Sequence, residues 1–201
     1  MNKFYLLVCV FLMFSSVVHA QTTKVIIKKD GKHRLQMNKK IQQALTKAAP
    51  TFKQYLPENY PKDLPEEYKF NESQMLSAVV GDFNGDGKKD IVLLGADKDG
   101  DIAYQVISKG KDYEVSEFWN GRFGDHQDIP KLYHAKGKWS YGMRYFTLRP
   151  AGAYYKGLTH KGKEDSCPYE SVLSTSNADG TRNFYLCWRD GDLQWDNASG
   201  D

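Results

Sequence analysis

The stretch Asp82-Phe83-Asn84-Gly85-Asp86-Gly87-Lys88-Lys89-Asp90 stands between two apolar runs, Met75 to Val80 and Ile91 to Leu94. Oxygen-bearing side chains occupy its first, third, fifth and ninth positions: Asp82, Asn84, Asp86 and Asp90. In a tightly curled loop this alternating spacing turns the side chains inward on one point. Gly85 and Gly87 supply the curl, because glycine reaches positive φ at little steric cost. A hard cation such as Ca2+ takes several oxygen ligands, one of them a backbone carbonyl midway round the loop, which falls on Lys88. The expected ligand set is therefore Asp82, Asn84, Asp86, the Lys88 carbonyl and Asp90. The competing reading of the same residues is an Asx-rich turn that holds no metal.

An EF-hand would need a bidentate Glu at position twelve and a helix on each side. Position twelve is Leu93, which also rules out a dockerin-type loop. The flanks Ser77-Ala78-Val79-Val80 and Ile91-Val92-Leu93-Leu94 have the β-branched, apolar character of strands. The unit is thus strand–loop–strand. Through Val80-Gly81-Asp82-Phe83-Asn84-Gly85-Asp86-Gly87 and Asp90-Ile91 it resembles the FG-GAP/VCBS repeat, the calcium loop of integrin-type propellers and of many bacterial exported proteins. That resemblance implies Ca2+ as the cofactor and is confined to the loop and its flanks. A propeller needs several repeated blades, and the chain carries one full motif. Asp97-Lys98-Asp99-Gly100-Asp101 repeats the first three ligand positions but places Ile102 sixth and Gln105 ninth. Asp-Gly within alternating sequence is a hairpin signal, so this segment reads as a turn.

The N-terminus reads as a signal peptide, residues 1–20. Lys3 gives a positive start, Phe4 to Val18 is almost wholly apolar, and Val18-His19-Ala20 fits a small-residue cleavage site. The apolar run is too short, and too soon followed by polar sequence, for a membrane span. Cleavage after Ala20 leaves a mature chain, residues 21–201, of a size for one domain, with no transmembrane segment and a periplasmic or secreted destination. Its loss of Lys3 lowers the formal net charge of +3 by one. So small a charge, with Lys and acids interspersed, points away from nucleic acid, which calls for a basic stripe. Cys167 and Cys187 are the cysteines left after cleavage. In an oxidising compartment two cysteines most simply form one disulfide, and a loop of about twenty residues gains roughly 3 kcal/mol from closure in the chain-entropy model.

Along the mature chain, Lys24 to Lys29 suggests a short strand and Asp30-Gly31-Lys32 a turn. Met37, Ile41, Ala44, Leu45 and Ala48 then recur at helical spacing, with Asn38 as N-cap and Pro50 as the stop. Phe52, Tyr55 and Leu56 extend an apolar face beyond it, and Pro57, Pro61 and Pro65 mark a connector. Strands are expected from Gln74 to Gly81, Asp90 to Gly95, Ile102 to Ser108, Tyr113 to Trp119, within Trp139 to Leu148, Tyr169 to Ser174, Asn183 to Arg189 and Leu193 to Trp195. Thr159 to Asp165 reads as a polar loop. The expected fold class is α+β: a helical N-terminal region, 21–70, followed by a mainly antiparallel β body, 71–201, with one strand–calcium loop–strand unit.

Catalytic signatures are missing. There is no Gly-x-Ser-x-Gly elbow, zinc-helix motif or phosphate loop. Asp125-His126-Gln127-Asp128 carries the combination of types that a general base or a zinc site needs, although a loop His among acids is ordinarily solvated surface. His33, His134 and His160 complete the histidines of the mature chain. Glu114, Glu117, Glu164 and Glu170 offer no spacing that singles out a glycosidase pair. Trp139, Tyr141, Tyr145, Phe146, Tyr154 and Tyr155 suit a core, with exposed stacking on sugars or partners as the alternative. The expected function is an exported binding module with a structural Ca2+ and no catalytic step, its partner an envelope protein or a cell-wall glycan. A cell-wall or polysaccharide hydrolase and a periplasmic inhibitor or immunity protein are the alternatives.

Overall fold

Antiparallel pairing organises most of the described residues. The computed structural model describes residues 23–27, 32–60, 68, 70–120, 144–160, 163–176 and 184–197. β1 (Lys24–Ile27) and β2 (His33–Gln36) form a hairpin. They are followed by the helix α1 (Lys39–Ala48) and the short strand β3 (Lys53–Gln54). β4 (Gln74–Met75), β5 (Ala78–Gly81), β6 (Asp90–Ala96), β7 (Asp101–Lys109) and β8 (Asp112–Asn120) lie in that order in the large sheet. β3 joins this sheet by pairing with β6 at Gly95 and Ala96, past the end of β5. That junction needs a glycine: a Cβ on Gly95 would lie 2.2 Å from the Lys53 carbonyl oxygen.

Further along come β9 (Arg144–Arg149), the hairpin of β10 (Tyr154–His160) and β11 (Lys163–Ser166), and then β12 (Ser171–Ser176), β13 (Phe184–Arg189) and β14 (Asp192–Asn197). A second sheet takes the order β14-β13-β12-β9. The β13–β14 turn has Asp190 at φ 51° and Gly191 at φ 85°, the left-handed pair that a two-residue hairpin matched to strand twist requires.

The apolar runs around residue 82 are unbroken because the central strands are buried on both faces. Successive strand residues point to opposite sides. Val79, Val92, Leu94, Ala103 and Ile107 meet Phe146, Val172, Leu186 and Leu193 of the second sheet. Ala78, Val80, Ile91, Leu93 and Val106 pack instead with Val25 and with Ile41, Leu45 and Ala49 of the α1 region. Each such Leu, Ile or Val taken fully out of water contributes about 1.5–3 kcal/mol.

The α+β expectation is wrong. Among the described residues the fold is mostly antiparallel β, and α1 is the one helix of seven residues or more. Region 21–70 is not a helical segment; its described part holds β1, β2 and β3 as well as α1. The strand at Lys24, the helix and its Asn38 cap fall where the sequence places them. Phe52 and Tyr55 do not extend the helical face: Phe52 precedes β3, and the Tyr55 amide donates to the Leu94 carbonyl at 3.1 Å. Their three-residue spacing mimics a helix, whereas the backbone from Lys53 to Tyr55 is captured by β6. The single strand expected from Gln74 to Gly81 is two strands, with Met75 opposite Ala78 across a turn at Leu76-Ser77. Thr159 to Asp165 is not simply a polar loop, since the ends of β10 and β11 pair there. The signal peptide 1–20, Pro61, Pro65, Asp125, His126, Asp128, His134, Trp139 and Tyr141 lie outside the described residues.

Candidate functional site

β5 and β6 close the loop, with Gly81 opposite Asp90. Gly85 and Gly87 take φ of 75° and 79°, as the curl demands. Inside it the acidic side chains accept backbone amides. Asp82 receives the Asp86 amide on Oδ1 at 3.0 Å and the Gly87 amide on Oδ2 at 2.9 Å. Asn84 Oδ1 also receives the Asp86 amide at 3.0 Å, and Asp86 Oδ1 receives the Lys88 amide at 2.9 Å. These Asx bonds turn the oxygens of positions one, three and five towards the interior of the loop.

Asp90 lies deeper. It is wholly buried and accepts the Phe83 amide on Oδ2 at 2.9 Å and the Ser108 amide on Oδ1 at 2.7 Å. Burial pushes its carboxyl above the usual range, the two hydrogen-bonded amides and the Ser108 hydroxyl oppose that, and neighbouring Asp86 adds to the rise. Asp86 moves the other way. Burial raises it, but the Ser108 hydroxyl, the Lys88 amide and the Lys88 ammonium outweigh that and leave it lowered. The Lys88 ammonium stands 3.4 Å from Asp86 Oδ2 and also donates to the Gly110 carbonyl.

Three residues that sequence reasoning missed complete the surroundings. Ser108 of β7 donates its amide to Asp90 and its hydroxyl to Asp86 Oδ2 at 2.8 Å, and its carbonyl accepts the Asn84 side-chain amide at 2.8 Å. Glu170 Oε2 accepts the Asp82 amide at 2.6 Å and lies 3.7 Å from Lys89 Nζ. The Tyr169 ring rests on Gly85, where a Cβ would approach it to 2.2 Å. Nothing in their local sequence marks them, because only strand pairing and sheet packing bring them to the loop. Tyr169 and Glu170 closely follow Cys167 in the chain: Cys167 and Cys187 are bridged, with Cα atoms 5.3 Å apart, both buried.

By donor type Asp82, Asn84, Asp86, the Lys88 carbonyl and Asp90 suit a hard cation, all being oxygens. A carboxylate oxygen that accepts one amide keeps a second lone pair, so the Asx bonds leave coordinating capacity. Among the described residues no three His, Cys, Asp or Glu side chains are gathered closely enough to hold a metal by themselves. The Asn84 amide, the backbone carbonyl and some closing of the loop would therefore be needed. At the other acidic turn, Asp97 Oδ1 accepts the Asp99 and Gly100 amides at 2.7 and 3.2 Å. Asp101 is buried and accepts the Tyr55 hydroxyl, so this segment is a turn tied into the core.

Elsewhere, Tyr145 and Phe146 are buried core residues. Neither of two cavities among the described residues is lined by a pair of carboxylates. An open groove of about 530 Å³ between α1 and β8 carries one, Asp112, among Lys40, Gln43, Lys47, Tyr113 and Val115. The small apolar space beside Arg144 and Phe146 has none. No described helix is long and apolar enough to cross a membrane. Compared with family models, curated proteins and solved structures, the chain matches none.

Proposed function

We propose that the chain is an exported binding module whose 82–90 loop takes one Ca2+ as a structural staple. Asp82, Asn84, Asp86, the Lys88 carbonyl and Asp90 are its ligands. The observation that carries this reading is the inward set of Asp82, Asn84 and Asp86 oxygens held by Asx bonds on the Gly85–Gly87 curl. The Asx bonds fix much of the loop backbone, so the closing that a cation requires costs little chain entropy. A disulfide and the signal-like N-terminus support a periplasmic or secreted location, with an envelope protein or cell-wall glycan as partner. Calcium activates water poorly beside zinc, and consecutive loop residues supply most of an oxygen shell, so the ion's role is stability rather than turnover. The hydrolase and inhibitor readings have no observation of their own in their favour.

Isothermal calorimetry on the mature chain tests the proposal. One Ca2+ is expected, with an affinity on the order of 0.1–1 mM, as for extracellular modules, and Mg2+ should bind less well. Asp86→Ala should abolish the heat. No heat from the parent chain, or equal heat from Asp86→Ala, would overturn the reading.

A further inference from the structure

Two consecutive residues delivered by the second sheet hold the loop. The Glu170 carboxylate spans its ends, taking the Asp82 amide at 2.6 Å while standing 3.7 Å from Lys89 Nζ. Tyr169 covers its middle, with its ring against Gly85. At 38% exposure Tyr169 is the exposed large hydrophobic residue among those described. Its ring therefore caps the loop from outside and is no part of the core. Neither residue belongs to a strand, because β12 begins at Ser171. Just before them, Cys167 is anchored twice over. It is buried and bridged to Cys187 of β13, its amide donates to the Ala153 carbonyl at 3.2 Å, and its carbonyl accepts the Gly152 amide at 2.7 Å. The short Cys167–Glu170 segment is thus pinned at one end by the bridge and at the other by β12, with the loop beneath it.

We propose that Glu170 and Tyr169 are positioning residues of the 82–90 loop, and that the Cys167–Cys187 bridge, by holding them, couples the order of the loop to the redox state of the cysteine pair. A dithiol reductant delivers two electrons and two protons, leaving two Cys thiols and its own disulfide. Released from Cys187, the segment bearing Tyr169 and Glu170 loosens and the loop loses its clamp. The cation part of the proposal rests on the calcium reading above; the ordering of the loop does not. Coupling is reciprocal, so an occupied loop in turn protects the bridge.

Native-state hydrogen exchange on the mature chain, in chelator, compares the oxidised protein with Cys167→Ser/Cys187→Ser. The Asp82, Asp86 and Gly87 amides should exchange about tenfold faster without the bridge, a typical coupling, while the β6 and β7 amides keep their protection. With the bridge intact, Glu170→Ala should release the Asp82 amide. Glu170→Gln, whose side-chain oxygen still accepts that amide, should keep it protected, whereas Glu170→Met, of similar bulk but with no oxygen acceptor, should release it as Ala does. Equal loop exchange in the oxidised and bridge-less proteins would overturn the coupling. So would unchanged Asp82 exchange in Glu170→Ala. If the bridge-less chain also loses protection in β6 and β7, Glu170→Ala and Tyr169→Ala decide: loop-only loss supports the clamp, and none overturns it. In calorimetry the Ca2+ affinity should weaken in the same order. Exchange that behaves as expected in a chain taking up no Ca2+ would sink the calcium reading and leave the coupling standing.

Discussion

Asp90 shows how one side chain sets the local structure. Its two oxygens tie the Phe83 amide of the loop to the Ser108 amide of β7, from a fully buried position. Asp90→Ala strands both donors, and each unsatisfied buried donor costs about 1–3 kcal/mol. The variant should lose about 3 kcal/mol in urea unfolding measured in chelator, where no cation contributes. A much smaller loss would mean that water replaces the carboxylate. His33 offers a pH test at the same scale. Its ring stacks on Phe70 with centroids 4.0 Å apart, and burial holds its pKa below the ordinary 6.5. The unfolded chain therefore binds the proton more readily. The contribution of His33 is full above that ordinary value and is lost as pH falls through it towards the lowered folded value. Melting temperatures across this acid range should fall less steeply for His33→Phe than for the parent; parallel curves would discard the idea.

At the scale of elements, α1 is an accessory to the sheet. Ile41 and Leu45 are its buried residues, and Asn38 Oδ1 caps it by accepting the Ile41 amide at 2.9 Å. No acidic residue in the first turn adds to this cap. Asn38→Ala should therefore destabilise by about 1 kcal/mol, visible as faster exchange of the first-turn amides with β6 and β7 unaffected. β5, the loop and β6 behave differently, since Gly81 opposite Asp90 and Ser108 from β7 make the loop part of the sheet. Perturbing the loop should reach β7 before it reaches α1.

Across the whole molecule, the calcium proposal makes the cation a ligand of the folded state alone. At about 1 mM Ca2+ and an affinity near 0.1 mM, mass action adds roughly 1.4 kcal/mol. For a chain of this size that is a rise in melting temperature of about 3–6 °C. Scanning calorimetry of the parent chain and of Asp82→Ala, each with Ca2+ and with chelator, should show the rise in the parent only. A calcium-dependent turnover of cell-wall substrates with melting unchanged would mean that the loop is an active site and not a staple.

Local chemistry is what the sequence by itself determined. The Gly85–Gly87 curl, the Asp190-Gly191 hairpin, the Asn38 cap and the strand character of Ile91 to Leu94 all depend on backbone sterics and on neighbours a few residues away. The Cys167–Cys187 pairing was legible because two cysteines allow one bridge. Tertiary structure alone decided the rest. An unbroken apolar strand says that both faces are covered but not by what, so neither α1 over one face nor the second sheet over the other could be read from Ala78 to Leu94. The helix-like spacing of Phe52 and Tyr55 yielded to pairing with β6, a partner some forty residues away whose open edge no local pattern reveals. For the same reason the sequence does not place Ser108, Tyr169 and Glu170 at the loop. Their place at the loop comes from strand register and sheet packing, which are non-local, whereas the acids that face them are spaced by the loop itself.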